Sequence, residues 1–194
     1  MTYRRDVFAS DHYYHIYTRS VRNEPLFFNP GNYEYLLRLI KKYSGKYGAS
    51  VISYCLMPNH YHLLLRQDGD FPVYRFINSL FNSYVQAVNR QQNRKGPMFE
   101  GTYQYVHVDR EKYIIHLCRY IHLNPVKANL VSGPEDWQYS NYREWANLRK
   151  GALKDQDFIT VYFQSPKEYA SFCENSSDGI ERESLSLIEK YRFE

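Results

Sequence analysis

His60 and His62 are the residues in this chain whose type and spacing most directly suggest chemistry. They stand two apart in Met57-Pro58-Asn59-His60-Tyr61-His62-Leu63-Leu64-Leu65, where a Pro-Asn turn runs into an apolar stretch. In a strand, alternate side chains point to the same face, so both imidazoles project together while Tyr61 points away. Two neutral imidazoles converging on one side make half of a site for a catalytic divalent ion. On its own, a His-x-His pair is more often two half-exposed histidines than a metal site.

A second segment changes that reading. From Asp109 to Ala128 apolar residues recur at helical spacing, with Asp109 placed as an N-cap and Glu111 adding an acid to the first turn. Pro125 disfavours helical geometry at Asn124, which predicts that the helix ends there. Tyr120 and Asn124 are four residues apart and therefore neighbours on one face of the last turn. Such a helix end presents a phenol and an amide oxygen to the same object. Two histidines, an amide ligand and a tyrosine together make a site for attacking phosphodiesters. Tyr113 is the rival nucleophile, but its neighbour one turn on is Leu117, which cannot ligate a metal. His116 stands four residues before Tyr120, placed either to orient it or simply to pack. His122 lies away from that face and reads as structural, while His12, His15 and His107 have no partner visible in the sequence.

The elements that must position these residues follow from periodicity. Residues 12–20 alternate as a strand, and residues 30–48 place Tyr33, Leu36, Leu37, Ile40 and Tyr43 at helical spacing, with Gly45 and Gly48 near the exit. Ser50 to Met57 reads as a strand, Pro58-Asn59 as a turn and His60 to Gln67 as its partner strand. Phe76, Ile77, Leu80, Phe81, Tyr84, Val85 and Val88 define the buried face of a second helix. A polar, basic loop from Asn89 to Pro97 leads to a further strand at Thr102 to Val108. The order β-α-β-β-α-β, followed by the Tyr120 helix, predicts an α+β fold. It is a ferredoxin-like or RRM-like antiparallel sheet with helices on one face, the catalytic helix packed near the sheet and a helical C-terminal extension. The domain is expected over residues 1–147. Residues 148–194 form an acidic extension, with short helices around 166–175 and 180–191.

At these residues the chain resembles the REP-associated tyrosine transposases, a branch of the single-tyrosine HUH nucleases that act on single-stranded DNA. The resemblance covers roughly residues 12–145. Its landmarks are Tyr14-His15-Ile16-Tyr17-Thr18-Arg19 as first strand, His60-Tyr61-His62 as the HUH motif and Gly96-Pro97-Met98-Phe99-Glu100-Gly101 as the turn into the fourth strand. Arg119-Tyr120-Ile121-His122-Leu123-Asn124-Pro125-Val126-Lys127-Ala128 resembles the family's catalytic helix end and its exit. The resemblance implies that His60, His62 and Asn124 bind one ion, Mg2+ or Mn2+, and that Tyr120 attacks phosphorus to form a 5′-phosphotyrosine. It implies a palindromic, REP-like hairpin beside a single strand as substrate. The chain also departs from the pattern: relatives usually carry Arg and Lys in the fourth strand, where Thr102 and Gln104 stand here.

Charge points to the same partner without the family. Residues 1–130 hold 17 Lys and Arg against 9 Asp and Glu, whereas residues 131–194 hold 8 against 12. A basic core suits a phosphate backbone. Arg90, Arg94 and Lys95, set among amides, are phosphate-contact candidates, and Arg19, Arg119 and Lys127 are further DNA candidates. Of the 21 tyrosines most read as packing with hydroxyls at the rim, and a few as platforms for unpaired bases. No apolar run approaches the roughly 20 residues that span a membrane, and no apolar signal core follows Arg4-Arg5. The three cysteines show no paired spacing and read as reduced thiols. A cytoplasmic, nucleoid-associated protein is therefore expected, with monomer and homodimer both open. Two other functions are consistent with the chain: a DNA-binding regulator without catalysis, and a metal-dependent nuclease that uses water as nucleophile.

Overall fold

The computed structural model describes residues 8–109 and 111–175. Its elements are β1 (Tyr13–Arg19), α1 (Pro30–Tyr47), β2 (Ala49–Leu56), β3 (His60–Gln67), α2 (Val73–Gln91), β4 (Gln104–Val108) and α3 (Glu111–Lys127). Three short helices follow: α4 (Tyr142–Trp145), α5 (Gln156–Tyr162) and α6 (Pro166–Glu174). The strands form one antiparallel sheet in the order β2-β3-β1-β4, the ferredoxin-like arrangement expected from the element order. β1 and β3 occupy the centre and are buried along almost their whole length.

Local signals start and stop the first helix. Asn29 caps α1 by accepting the N–H of Asn32 at 3.1 Å, and Pro30 takes the first helical position, where its missing N–H leaves no bond unmade. The helix ends at Gly48, whose φ of 59° lies in the left-handed region. A Cβ there would stand 3.2 Å from the Gly69 backbone, so glycine is also needed for the close passage of the two turns.

Two hydrophobic clusters sandwich the sheet. α1 and α2 cover the face that carries Ile16, Tyr61, Leu63 and Leu65. Six of the seven residues of α2 that its periodicity marked are buried, Val85 is half-buried at the cluster's edge, and Val73 in the first turn is buried as well. Tyr61, central in the His-x-His motif, turns into this cluster and stacks on Phe81 with ring centroids 4.3 Å apart. α3 to α6 cover the opposite face, against Ile52, Cys55, Leu64 and Val108. The part of the C-terminal extension seen here thus shares a core with α3. α4 and α5 were not legible in the sequence, being single turns or little more whose few buried residues make no periodic signal. The expected helix at 166–175 is α6, capped by Ser165 with Pro166 next. The expected helix at 180–191 lies outside the described residues, as does Arg110, which separates the expected cap Asp109 from the start of α3.

Pro125 does not stop α3 at Asn124, contrary to the sequence rule. A proline there removes one hydrogen bond, to the carbonyl of Ile121, and it does so one turn from the helix end. Pro125 is itself buried, so packing holds the final turn in place. The helix closes after Lys127: Ala128 N–H donates to the Asn124 carbonyl at 2.9 Å, and Asn129 takes a left-handed φ of 54°.

A buried polar clamp joins α3 to β2. β2 bulges between Val51 and Ser53, which takes backbone groups out of the ladder. Asn141 replaces the lost partners. Its Oδ1 accepts the Tyr54 N–H at 2.8 Å, and its Nδ2 donates to the Ile52 carbonyl at 2.9 Å and the Leu153 carbonyl at 3.2 Å. The same Oδ1 lies 2.8 Å from Nε2 of His122 on α3. Burial lowers the His122 pKa to about 4, so the ring is neutral. An acceptor facing Nε2 requires the proton on that nitrogen, and Nδ1 then accepts from the Tyr169 hydroxyl at 2.5 Å. Asn141→Ala would leave several of these groups buried without partners, each costing about 1–3 kcal/mol. Urea denaturation should show a loss on the order of 3 kcal/mol, and a loss under about 1 kcal/mol would contradict the clamp.

Candidate active site on the α3 face of the sheet

Strand pairing gathers the site before any helix contributes. Antiparallel register sets Tyr17 opposite His62 and Arg19 opposite His60, so strand alternation puts His15, Tyr17, Arg19, His60 and His62 on one face. The His60 and His62 rings lie 5.3 Å apart, nearly perpendicular at 87°. α3 then lays Tyr120 against them, its ring 5.6 Å from that of His62 and edge-on at 81°. One turn further, Asn124 stands close enough to His60 to act on its ring electrostatically. The sequence-read set of His60, His62, Tyr120 and Asn124 is therefore brought together in space.

Hydrogen bonds fix which atoms of this set face one another. Asn124 Nδ2 donates to the Tyr120 carbonyl at 3.0 Å, which leaves Oδ1 as its outward donor of electrons. Asn59 gives its Nδ2 to Asn23, so its Oδ1 is the atom 2.8 Å from His60 Nδ1. His60 must therefore carry its proton on Nδ1 and its lone pair on Nε2. His62 Nδ1 lies 3.0 Å from Nε2 of His15. Burial lowers the pKa of His60 to about 4 and that of His15 to about 3, and pushes His62 well below the ordinary histidine range.

Two neutral imidazoles and an amide oxygen fit a divalent ion such as Mg2+ or Mn2+, because ligating imidazole must be unprotonated and amide oxygen is a hard donor. Among the described residues no three or more His, Cys, Asp or Glu side chains gather as a metal site. A three-membered donor set built on His60 and His62 would therefore have to include the amide of Asn124.

The remaining candidates fall in different places. Lys127 sets its ammonium 4.7 Å over the Tyr120 ring. Arg19 pairs with Glu100, both side chains about half exposed, so the pair contributes little to stability and a phosphate could compete for the guanidinium. The loop after α2 runs back along this end of the sheet, with Val21 N–H on the Met98 carbonyl and Glu100 N–H on that of Arg19. In that loop Lys95 is exposed, while Arg94 is paired with Glu24 at 2.5 Å and lies over Phe28; Arg90 is exposed at the end of α2. Arg119 turns inward instead. Its guanidinium donates to the carbonyls of Phe172 and Asn175, both at 3.0 Å, tying the end of α6 to α3. His116 packs on Phe172, and Tyr113 lies in the second cluster. His12 and His107 stack on each other 4.7 Å apart at the other end of β1. Sequence reasoning missed His15; the alternation Tyr13-x-His15-x-Tyr17 was its signal, but only the pairing of β1 with β3 gives it a partner.

A ferredoxin-like sheet that presents a His-x-His strand to a tyrosine and an amide one helical turn apart defines the single-tyrosine HUH class. The family model described as "Transposase IS200 like" matches residues 8–124, more than half the chain, and the chain belongs to that family. A curated protein of Haemophilus influenzae named as a REP-associated tyrosine transposase is 26% identical over 106 residues, covering 50% of this chain and 60% of that protein. The chain thus spans about three fifths of that relative's length. The solved structure of a REP-associated tyrosine transposase bound to a REP hairpin superposes with a TM-score of 0.65 at 17% identity, over 80% of this chain and 94% of the other. That likeness shows the fold. No described helix is long and apolar enough to cross a membrane.

Acid should act on this face before it acts elsewhere. His15, His60, His62 and His122 are held neutral in the folded protein and have lowered pKa values, so each takes up a proton on unfolding below about pH 6.5. Stability is therefore full above that pH and declines as pH falls toward about 4, through the folded values. Urea midpoints measured between pH 7.5 and 4.5 should fall steadily with acid; a flat profile would contradict the buried neutral rings.

Proposed function

We propose that this protein is a metal-dependent single-stranded DNA endonuclease and strand transferase with Tyr120 as nucleophile, acting on palindromic, REP-like hairpin DNA. The observation that carries the proposal is the juxtaposition of the Tyr120 ring with His62, with Asn124 one turn further along the same helix beside His60. His60 Nε2, His62 Nε2 and Asn124 Oδ1 would hold one Mg2+ or Mn2+. When bound, that ion polarises a non-bridging oxygen of the scissile phosphate and stabilises the charge that develops there.

The chain's own groups do the rest. Tyr120 Oη forms a bond to phosphorus as the bond to the 3′ oxygen breaks; the phenol gives up its proton and the departing oxygen becomes a 3′ hydroxyl. A phenol of ordinary pKa, about 10, is protonated at neutral pH, so attack requires positive charge beside the forming phenolate. The Lys127 ammonium over the ring supplies such charge. Because one phosphoester replaces another, the step can reverse onto a second 3′ end, which is strand transfer without hydrolysis. Arg19, beside His60, and Arg94 and Lys95 in the loop that returns to this end of the sheet would take backbone phosphates, Arg94 by exchanging its pairing with Glu24. The hairpin preference rests on the relative whose structure is described as bound to a REP hairpin.

The test is a denaturing gel of protein with a labelled single-stranded palindromic repeat, with Mn2+ or with EDTA. A metal-dependent band that survives denaturant is expected, and Tyr120→Phe should remove it by at least about 10^3-fold while DNA binding persists. Cleavage without an adduct would establish a water-using nuclease, and binding with neither would establish a regulator. Arg19→Ala should lower the slope of log affinity against log salt by about 0.7 for a single strand; an unchanged slope would remove Arg19 from the contacts.

A further inference from the structure

His15 is buried, polar and central, and the reaction just described gives it no part. It lies on β1 one diagonal step from His62 on β3, with Nε2 3.0 Å from His62 Nδ1 and the two rings near parallel at 20°. Both side chains are fully buried. Tyr17 stacks on His15 at 4.9 Å and lies 5.9 Å from His62, so the three rings restrain one another against rotation. A leucine would fill this place without the cost of burying a polar ring, which is a reason to look for what the imidazole does.

His60 shows what that is. Its Nδ1 faces the Asn59 amide oxygen, a fixed acceptor that leaves the lone pair on Nε2. At the equivalent place behind His62, facing its Nδ1, stands His15. We propose that His15 is a positioning residue: its Nε2 accepts from His62 Nδ1–H, holding His62 in the tautomer whose Nε2 lone pair is offered to the metal. His15 must then carry its own proton on Nδ1. Each ligand histidine thereby receives a dedicated acceptor behind it, a side-chain amide for one and a neutral imidazole for the other. This inference rests on the metal reading of the preceding section.

Two replacements separate this role from simple packing. His15→Gln keeps an acceptor oxygen at the reach of Nε2 without the ring. His15→Phe keeps the ring and its stacking on Tyr17 but offers no acceptor. Mn2+ affinity is measured by titration calorimetry on the whole folded chain, and the His62 tautomer by nitrogen-15 NMR of the metal-free protein. In the unsubstituted chain His62 should be protonated on Nδ1. His15→Phe should weaken Mn2+ about 10–100-fold and lose that tautomer signature, while His15→Gln stays within about threefold. Equal losses in both variants, or a His15→Phe protein that is folded and binds Mn2+ normally, would overturn the proposal. An unsubstituted chain that binds no Mn2+ but shows His62 protonated on Nδ1, lost in His15→Phe, would refute the metal reading while upholding the hydrogen bond from His62 to His15. The opposite tautomer in the unsubstituted chain would refute His15's role directly.

Discussion

The clamp between His122 and Asn141 is the interaction on which the site depends. Tyr120 and Asn124 act together only if α3 presents one particular face to β3, and a rotation by a single residue would turn that face by about 100°. Apolar packing alone tolerates such slippage, because leucine and isoleucine fill space without direction. The neutral His122 ring is different. It must meet an acceptor at Nε2 and a donor at Nδ1, and Asn141 and Tyr169 provide these on opposite sides of the helix's buried seam. Asn141 is in turn held by the bulge in β2. The sheet's own irregularity is thereby converted into a fixed setting for the helix that carries Tyr120.

A second consequence of this construction is that the floor of the site is buried. The histidines on its floor are neutral because burial disfavours their charged forms, not because neighbouring cations repel protons. Tyr120 itself is only 5% exposed. In such surroundings the tautomer of each ring is set by its partner and not by water, and every hydrogen bond has a larger effect than it would at the surface. Charges that can move lie at the rim instead: Lys127 over the tyrosine ring, Arg19 held loosely by Glu100, and the exposed Lys95. The division suits chemistry on a phosphate backbone, with exchangeable cations outside and fixed donors within.

The acidic C-terminal region takes a structural place in this scheme as far as residue 175. α5 and α6 complete the cluster that supports α3, and Arg119, whose position beside Tyr120 suggested a phosphate contact, binds the last carbonyls of α6. A cation next to Tyr120 in sequence is thus the anchor of a neighbouring helix in space, since adjacent residues on a helix point about 100° apart.

The amino-acid sequence determined whatever depends on short range. Alternation in His60-Tyr61-His62 set two imidazoles on one face and Tyr61 in the core. Spacing of four coupled Tyr120 with Asn124, and helical periodicity marked the buried face of α2. Each relation spans no more than a few residues and follows from backbone geometry alone. Tertiary structure decided the rest. His15 and His62 are 47 residues apart, and Tyr54 and Asn141 are 87 apart, so no local rule could pair them. The continuation of α3 through Pro125 belongs with these, because a local preference against helix yielded to the burial of Pro125 itself. The sequence specified which chemical groups could act; long-range packing specified their partners, their tautomers and the direction in which they face.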